Sequence, residues 1–318
     1  MIYKLLLLFT FTLPFATSAQ KICAKKDVEV TIELPNGSLK GSLLVPKSKK
    51  TVPVVLLIPG SGPTDRNCNS GLGLQSNSFI YIAEALYKEK IATLRVDKRV
   101  SGESAKTFNG KDLINVKFNS FIEDTEKWID TLQKDDRFDE IIVAGHSQGS
   151  LVGMIAANSK KADKYISISG AGTTIDKVLH EQLSETMPEQ TDTIAMFLDS
   201  IRTGGYYNDG PLFLRQTLPL YLKGFLSEWM SYDPAKEISK LECPVLIING
   251  GNDLQVSDDH AVLLHDAHHS SKLEIIGSMN HVLKDSPKDR LSNLGTYNQP
   301  DLPVNEKLIE LIITFVEE

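Results

Sequence analysis

Little in this 318-residue sequence points to a polyanionic partner, a metal or a disulfide framework. Lysine and arginine number 34 against 41 aspartates and glutamates, for a net charge of -7. Nucleic acid needs a basic footprint, and no Lys/Arg cluster of that size occurs, so it is excluded as the main partner. The nearest thing, residues 47–50, reads as a solvated loop. Three cysteines and seven histidines are scattered without metal-site spacing. No metal or cofactor is therefore expected, and His268-His269 reads as a solvated face. Internal repeats and low-complexity linkers are absent as well. With 41% hydrophobic and 24% charged residues, the composition is that of one large globular domain with room for an inserted piece.

A bilayer-spanning run is also missing. The apolar stretch Leu5-Leu6-Leu7-Leu8-Phe9 follows Lys4 and is soon broken by Thr10, Thr12 and Pro14, which is short for a membrane helix. Small residues at Thr17 and Ala19 suit cleavage before Gln20. Residues 1–19 are thus predicted to be a secretory signal peptide, an uncleaved anchor being the alternative, and the mature protein to be periplasmic or extracellular without stable membrane insertion. An oxidising compartment permits a Cys23–Cys68 bridge. Cys243, just before Pro244 and an apolar run, reads as a small buried hydrophobe.

What the sequence does contain is centred on Ile141-Ile142-Val143-Ala144-Gly145-His146-Ser147-Gln148-Gly149-Ser150. Four apolar residues run into Gly-x-Ser-x-Gly and a helix-permissive segment follows, so strand, sharp turn and helix are expected. Such a turn lifts a serine hydroxyl clear of the sheet, which makes Ser147 the candidate nucleophile. Around it the chain alternates. Residues 28–34 and 39–45 read as an antiparallel pair, and 52–58 as a strand buried on both faces. Then come helix 79–89, strand 91–96, helix 118–132, strand 141–144, helix 151–158 and strand 165–168. Strand 244–249, helix 259–267, strand 272–276 and helix 304–316 close the chain. That pattern predicts an α/β fold, a mostly parallel central sheet flanked by helices. From 173 to 240 the alternation stops and aromatics recur within helical spacing, as in an inserted helical cap after the sixth strand. The core is then 20–172 with 241–318. The cap's aromatics are expected to build its own small core, with lining of a pocket the sharper alternative.

A serine hydroxyl needs a base, itself oriented by a third group. His146 adjoins the nucleophile and is expected to point into packing, and His180 belongs to the insertion. His260, His265, His268 and His269 are expected at the surface. His281, in a loop after strand 272–276, is the candidate base. Asp253, in Gly250-Gly251-Asn252-Asp253 directly after a buried strand, is the candidate acid; Asp258 and Asp259 look like helix-capping carboxylates. Acyl transfer also needs donors for the oxyanion, expected from the backbone amides of Gln148 and of Ser61 in the loop Pro59-Gly60-Ser61-Gly62-Pro63. That loop lacks the Gly-Lys-Ser/Thr ending of a phosphate cradle. The elbow carries Ser where dehalogenase chemistry would use Asp.

The order Ser147, Asp253, His281 is the one found in α/β-hydrolases, and from about Leu39 onward the chain resembles that superfamily. More narrowly, residues 59–67, then Asp97-Lys98-Arg99 with Gly102-Glu103-Ser104, resemble bacterial hydrolases related to carboxylesterases and to serine aminopeptidase-like enzymes of the S33 type. The resemblance implies a triad of Ser147, Asp253 and His281 and a helical cap at 173–240. Cys68 stands where those enzymes commonly have glycine, and Val100-Ser101 replaces a glycine-containing turn. Asp65, Arg66, Asp97 and Arg99 are expected to form a structural polar network. The expected function is an exported serine hydrolase acting on small acyl esters through an acyl-enzyme. A serine aminopeptidase-like activity is the alternative, needing a carboxylate such as Glu181, Glu185 or Glu228 near the pocket. A non-catalytic binding protein on the same fold is the remaining one.

Overall fold

The computed structural model describes residues 26–318, so the expected signal segment and Cys23 lie outside the described residues. Eight strands form one sheet: β1 Val28–Leu34, β2 Gly37–Leu44, β3 Val52–Ile58, β4 Ala92–Val96, β5 Phe138–His146, β6 Lys164–Ile168, β7 Val245–Gly250 and β8 Lys272–Ile276, in the order β1-β2-β4-β3-β5-β6-β7-β8. β1 pairs antiparallel with β2, and β2 with β4; every later pairing is parallel. This is the α/β-hydrolase fold.

Apart from short helical turns at Gly102–Ala105 and Gly110–Ile114, the α-helices are α1 Ser78–Lys88, α2 Phe118–Gln133, α3 Gln148–Lys160, α4 Ile175–Thr186, α5 Thr191–Arg202, α6 Leu212–Thr217, α7 Lys223–Met230, α8 Pro234–Ile238, α9 Asp258–Ala267, α10 Arg290–Gly295 and α11 Glu306–Glu317. The period-two alternation of the central strands divides the core between two faces. Val54, Leu56 and Ile58 of β3 join Ile141 and Val143 of β5 under α2, α3 and α9. Val55 and Leu57 join Ile142 and Ala144 under α1 and α11.

Five helices, α4 to α8, lie between β6 and β7. Leu183, Ile194, Phe197, Ile201, Leu214 and Leu226 are buried there in a cluster of their own, with Tyr206, Phe213 and Trp229 against it. Of the cap's aromatics, Phe197 thus sits inside this core and several pack against it, whereas Tyr207 and Tyr221 are exposed. Three of the cap's aromatics also form its seam with the sheet layer. Phe118 of α2 stacks on Trp229 with ring centroids 5.5 Å apart and meets Phe225 edge-on at 5.8 Å and Tyr232 at 5.5 Å.

Candidate active site

β5 ends at His146 and α3 begins at Gln148, leaving Ser147 as the single residue of the turn. Its backbone is at φ 55, ψ -121, a conformation that costs a non-glycine residue of order 1–3 kcal/mol. The flanking glycines permit it for a steric reason. A Cβ on Gly145 would sit 2.1 Å from the carbonyl oxygen of Gly149, and one on Gly149 would sit 2.3 Å from that of Ile58. The elbow is thus pressed against the end of β3, where the 59–63 loop begins.

The acid and the histidine arrive on the loops after β7 and β8. Those two loops cross closely enough that a Cβ on Gly250 would lie 2.1 Å from the Met279 carbonyl oxygen. Asp253 Oδ1 accepts the amides of Gln255 at 2.8 Å and Val256 at 3.0 Å, which leaves Oδ2 to meet His281 Nδ1 at 2.8 Å. Burial by itself would raise the Asp253 carboxyl, but the His281 ring and the two amides outweigh it and hold the group below its ordinary range. Its bond to a carboxylate makes Nδ1 the protonated nitrogen and Nε2 the free one.

The histidine loop is organised by Asn280, fully buried. Its side-chain oxygen accepts the amides of Val282 and Lys284, and its nitrogen donates to Asn293 and to Thr296. A second tether comes from the elbow. His146 Nε2 donates to the His281 carbonyl at 2.8 Å, with the two imidazole centroids 4.8 Å apart and Phe79 edge-on behind. Burial pushes His146 down to about 3, so it is neutral at ordinary pH.

Ser147 and His281 line one cavity, together with Gly60, Ser61, Cys68 and Tyr297 among others. The Ser147 hydroxyl makes no hydrogen bond among the described residues, and neither do the amides of Ser61 and Gln148. Ser147, His281 and Ser61 therefore line one cavity, with Asp253 bonded to His281 and Gln148 next to Ser147 in the chain. The alternative carboxylates are not. Glu181 faces His260 at 3.3 Å, Glu185 pairs with Arg290 and Glu228 accepts the amide of Asn119. No acidic side chain among the described residues lines the cavity. Nor could any group of three or more His, Cys, Asp or Glu among them hold a metal.

Several expectations need correction. His260 is buried, not at the surface, and its Nδ1 accepts the Gly172 amide at 3.2 Å. The segment after β6 crosses α9 there so closely that a Cβ on Gly172 would lie 2.4 Å from the His260 carbonyl oxygen. The polar pattern along α9 carries no trace of that crossing. Asp97 and Arg66 form a buried ion pair as expected, but Arg99 belongs to Asp124 at 2.6 Å. Cys68 is a buried free thiol, and its φ of 62 explains why glycine suits this position. Cys243 is partly buried against the core. His146 and Asn280, which hold the histidine loop, were missed as site-building residues.

A family model described as serine aminopeptidase, S33 matches residues 68–284. Among characterised proteins, esterase EstD from Thermotoga maritima is 25% identical over 266 residues, covering 81% of this chain and 60% of that protein. The chain thus matches less than two thirds of that relative's length. Solved structures with a similar fold include Est1E from Butyrivibrio proteoclasticus with ferulic acid bound, at TM-score 0.59 and 19% identity over 91% of this chain and 100% of that one. Dienelactone hydrolase from Anabaena variabilis has a TM-score of 0.52 at 16% identity, over 92% of this chain and 97% of that one.

Proposed function

Because the chain belongs to the serine aminopeptidase S33 family of α/β-hydrolases, we propose that it is an exported serine esterase cleaving small acyl esters. The observation that carries this is the His281 ring, anchored through Nδ1 to Asp253 and lining the same cavity as the strained, unbonded Ser147 hydroxyl.

In the proposed cycle, Ser147 Oγ attacks the ester carbonyl carbon while His281 Nε2 takes its proton. The oxyanion is received by the amides of Ser61 and Gln148. His281 gives the proton to the leaving alcohol; water, deprotonated by the same nitrogen, then attacks the acyl-enzyme, and His281 passes that proton to Ser147 Oγ as the acid is released. Asp253 keeps the imidazole in the required tautomer and stabilises the imidazolium.

Two features favour an ester over an amino-terminal peptide bond. No carboxylate lines the cavity to hold a substrate ammonium, and the three glutamates of the alternative are engaged elsewhere. The cavity, about 80 Å³, falls below the roughly 300–1,000 Å³ typical of drug-sized ligands, which favours a short acyl group. Turnover of p-nitrophenyl acetate with no release from aminoacyl-p-nitroanilides, and a fluorophosphonate adduct on Ser147 by mass spectrometry, are the expected results. A purified, folded enzyme that takes no label on Ser147 rules the proposal out.

A further inference from the structure

Lys98 leaves the end of β4 and is buried, with only 7% of its surface exposed. No carboxylate among the described residues lies within ion-pair distance of its ammonium. Its nitrogen instead donates to two backbone carbonyls, those of Gly60 and, at 2.7 Å, Gly62. Between them, the Ser61 carbonyl accepts the Thr64 hydroxyl at 2.7 Å. Three consecutive carbonyls of the loop are therefore held from within the protein. A buried ammonium without a carboxylate partner is costly, since two neutral acceptors and the Phe121 ring face, 5.6 Å from the nitrogen, replace a full hydration shell. Burial pushes Lys98 down to about 7.

The placement has a consequence for the neighbouring amide. The Gly60 carbonyl and the Ser61 N–H belong to one peptide unit, and no peptide bond among the described residues is cis. In a trans peptide the two groups point in opposite directions. Drawing the carbonyl toward Lys98 turns the N–H away from it. Gly60 lies against the nucleophile, close enough that a Cβ there would be 3.1 Å from Ser147 Cβ. Gly60 and Ser61 line the Ser147 cavity, whereas Lys98 lines a separate small cavity with Pro59, Asp124 and Gln148. The lysine thus stands behind the loop and the substrate space in front.

We propose that Lys98 is the positioning residue of the oxyanion site, gripping the Gly60 and Gly62 carbonyls so that the Ser61 N–H is aimed at the developing oxyanion. The grip also polarises the Gly60–Ser61 peptide. With Lys98 protonated, the charge-assisted bond on its carbonyl makes the N–H a stronger donor, as hydrogen bonds in a chain reinforce one another. The inference rests on the esterase proposal, since it needs an oxyanion beside Ser61.

The test is Lys98→Met in the full chain, with p-nitrophenyl acetate kinetics and the affinity of ethylboronic acid, whose boron is attacked by Ser147 Oγ to give a tetrahedral adduct. Removing an oxyanion donor costs about 100- to 1,000-fold, and misaiming one is expected to cost about 10- to 100-fold. Both kcat and boronate affinity should fall by that factor with KM unchanged within about twofold, the signature of an interaction made only in the transition state. A lysine that merely stabilises the fold would leave kcat and boronate affinity of the folded fraction intact, and that result overturns the inference. If Lys98→Met does not fold, Lys98→Ala, which also removes every donor but leaves room for water, is measured in its place and judged by the same two quantities. The two proposals fail separately. Wild-type enzyme labelled at Ser147 beside a fully active Lys98 variant sinks only the positioning role, whereas unlabelled wild-type enzyme sinks both.

Discussion

At the residue scale the site depends on single contacts that fix protons and directions. Asp253 gives one oxygen to two backbone amides and the other to His281. Asp253→Asn keeps the size but presents an amide to Nδ1, which permits the wrong tautomer. kcat is expected to fall about 10⁴-fold with the fold intact, checked by steady-state kinetics beside circular dichroism. His146 acts at one remove, through the His281 carbonyl. His146→Phe preserves a ring against Phe79 and removes the donor. A hydrogen bond of about 1 kcal/mol is lost, so kcat should fall roughly five- to tenfold at unchanged KM; an unaltered kcat would show that the tether is unnecessary. Ser147, Asp253 and His281 were legible in the sequence because elbow, acid and histidine each follow an apolar strand. His146 and Asn280 were not, because their partners are a backbone carbonyl and side chains contributed by another segment.

At the element scale, close approaches of backbone determine what the turns tolerate. Gly149→Ala would place a methyl 2.3 Å from the Ile58 carbonyl oxygen, and a strand end cannot yield as a flexible side chain can. Loss of soluble folded protein is expected. Gly224→Ala in α7, where a Cβ would meet nothing within 4 Å, should leave expression and melting temperature unchanged or slightly raised. The seam between cap and core predicts a different failure. Phe118 is fully buried and touches three cap aromatics. Phe118→Ala should cost about 3–5 kcal/mol and expose residues 173–240 to limited proteolysis before the core, readable by urea titration and by the order of cleavage. Most strands were read to within a residue or two, from alternation in β1 and β2 and from continuous apolar runs in the buried strands, but β5 was read only as 141–144 because the polar residues Asp139 and Glu140 interrupt its start. The cap helices were recognised only as a helical region. Their burial is set by one another and by α2, and no single periodic stripe records a three-way contact.

For the whole molecule, buried titratable groups link the fold to pH. His146 titrates at about 3 in the folded protein against an ordinary value of 6.5. Between those values the unfolded chain takes up a proton that the native state refuses. Stability therefore falls as pH drops through that window, by up to about 1.4 kcal/mol per pH unit. Urea midpoints measured from pH 4 to 6.5 should show a shallower acid slope in His146→Phe than in the wild type. Equal slopes would mean that His146 is not the group responsible. Export is proposed from residues 1–19 alone, and the N-terminal sequence of the secreted protein is expected to begin at Gln20. By itself the sequence determined the fold class, the places of the main strands and helices along the chain and the three residues proposed for the chemistry, because apolar periodicity and short-range motifs are written along the chain. The tertiary structure alone decided that Arg99 belongs to Asp124, that His260 is buried under the segment after β6, and that Lys98 grips the loop facing the nucleophile. These are pairings between segments far apart in the chain, and their geometry depends on how strands and loops are stacked in space, which neither composition nor period encodes.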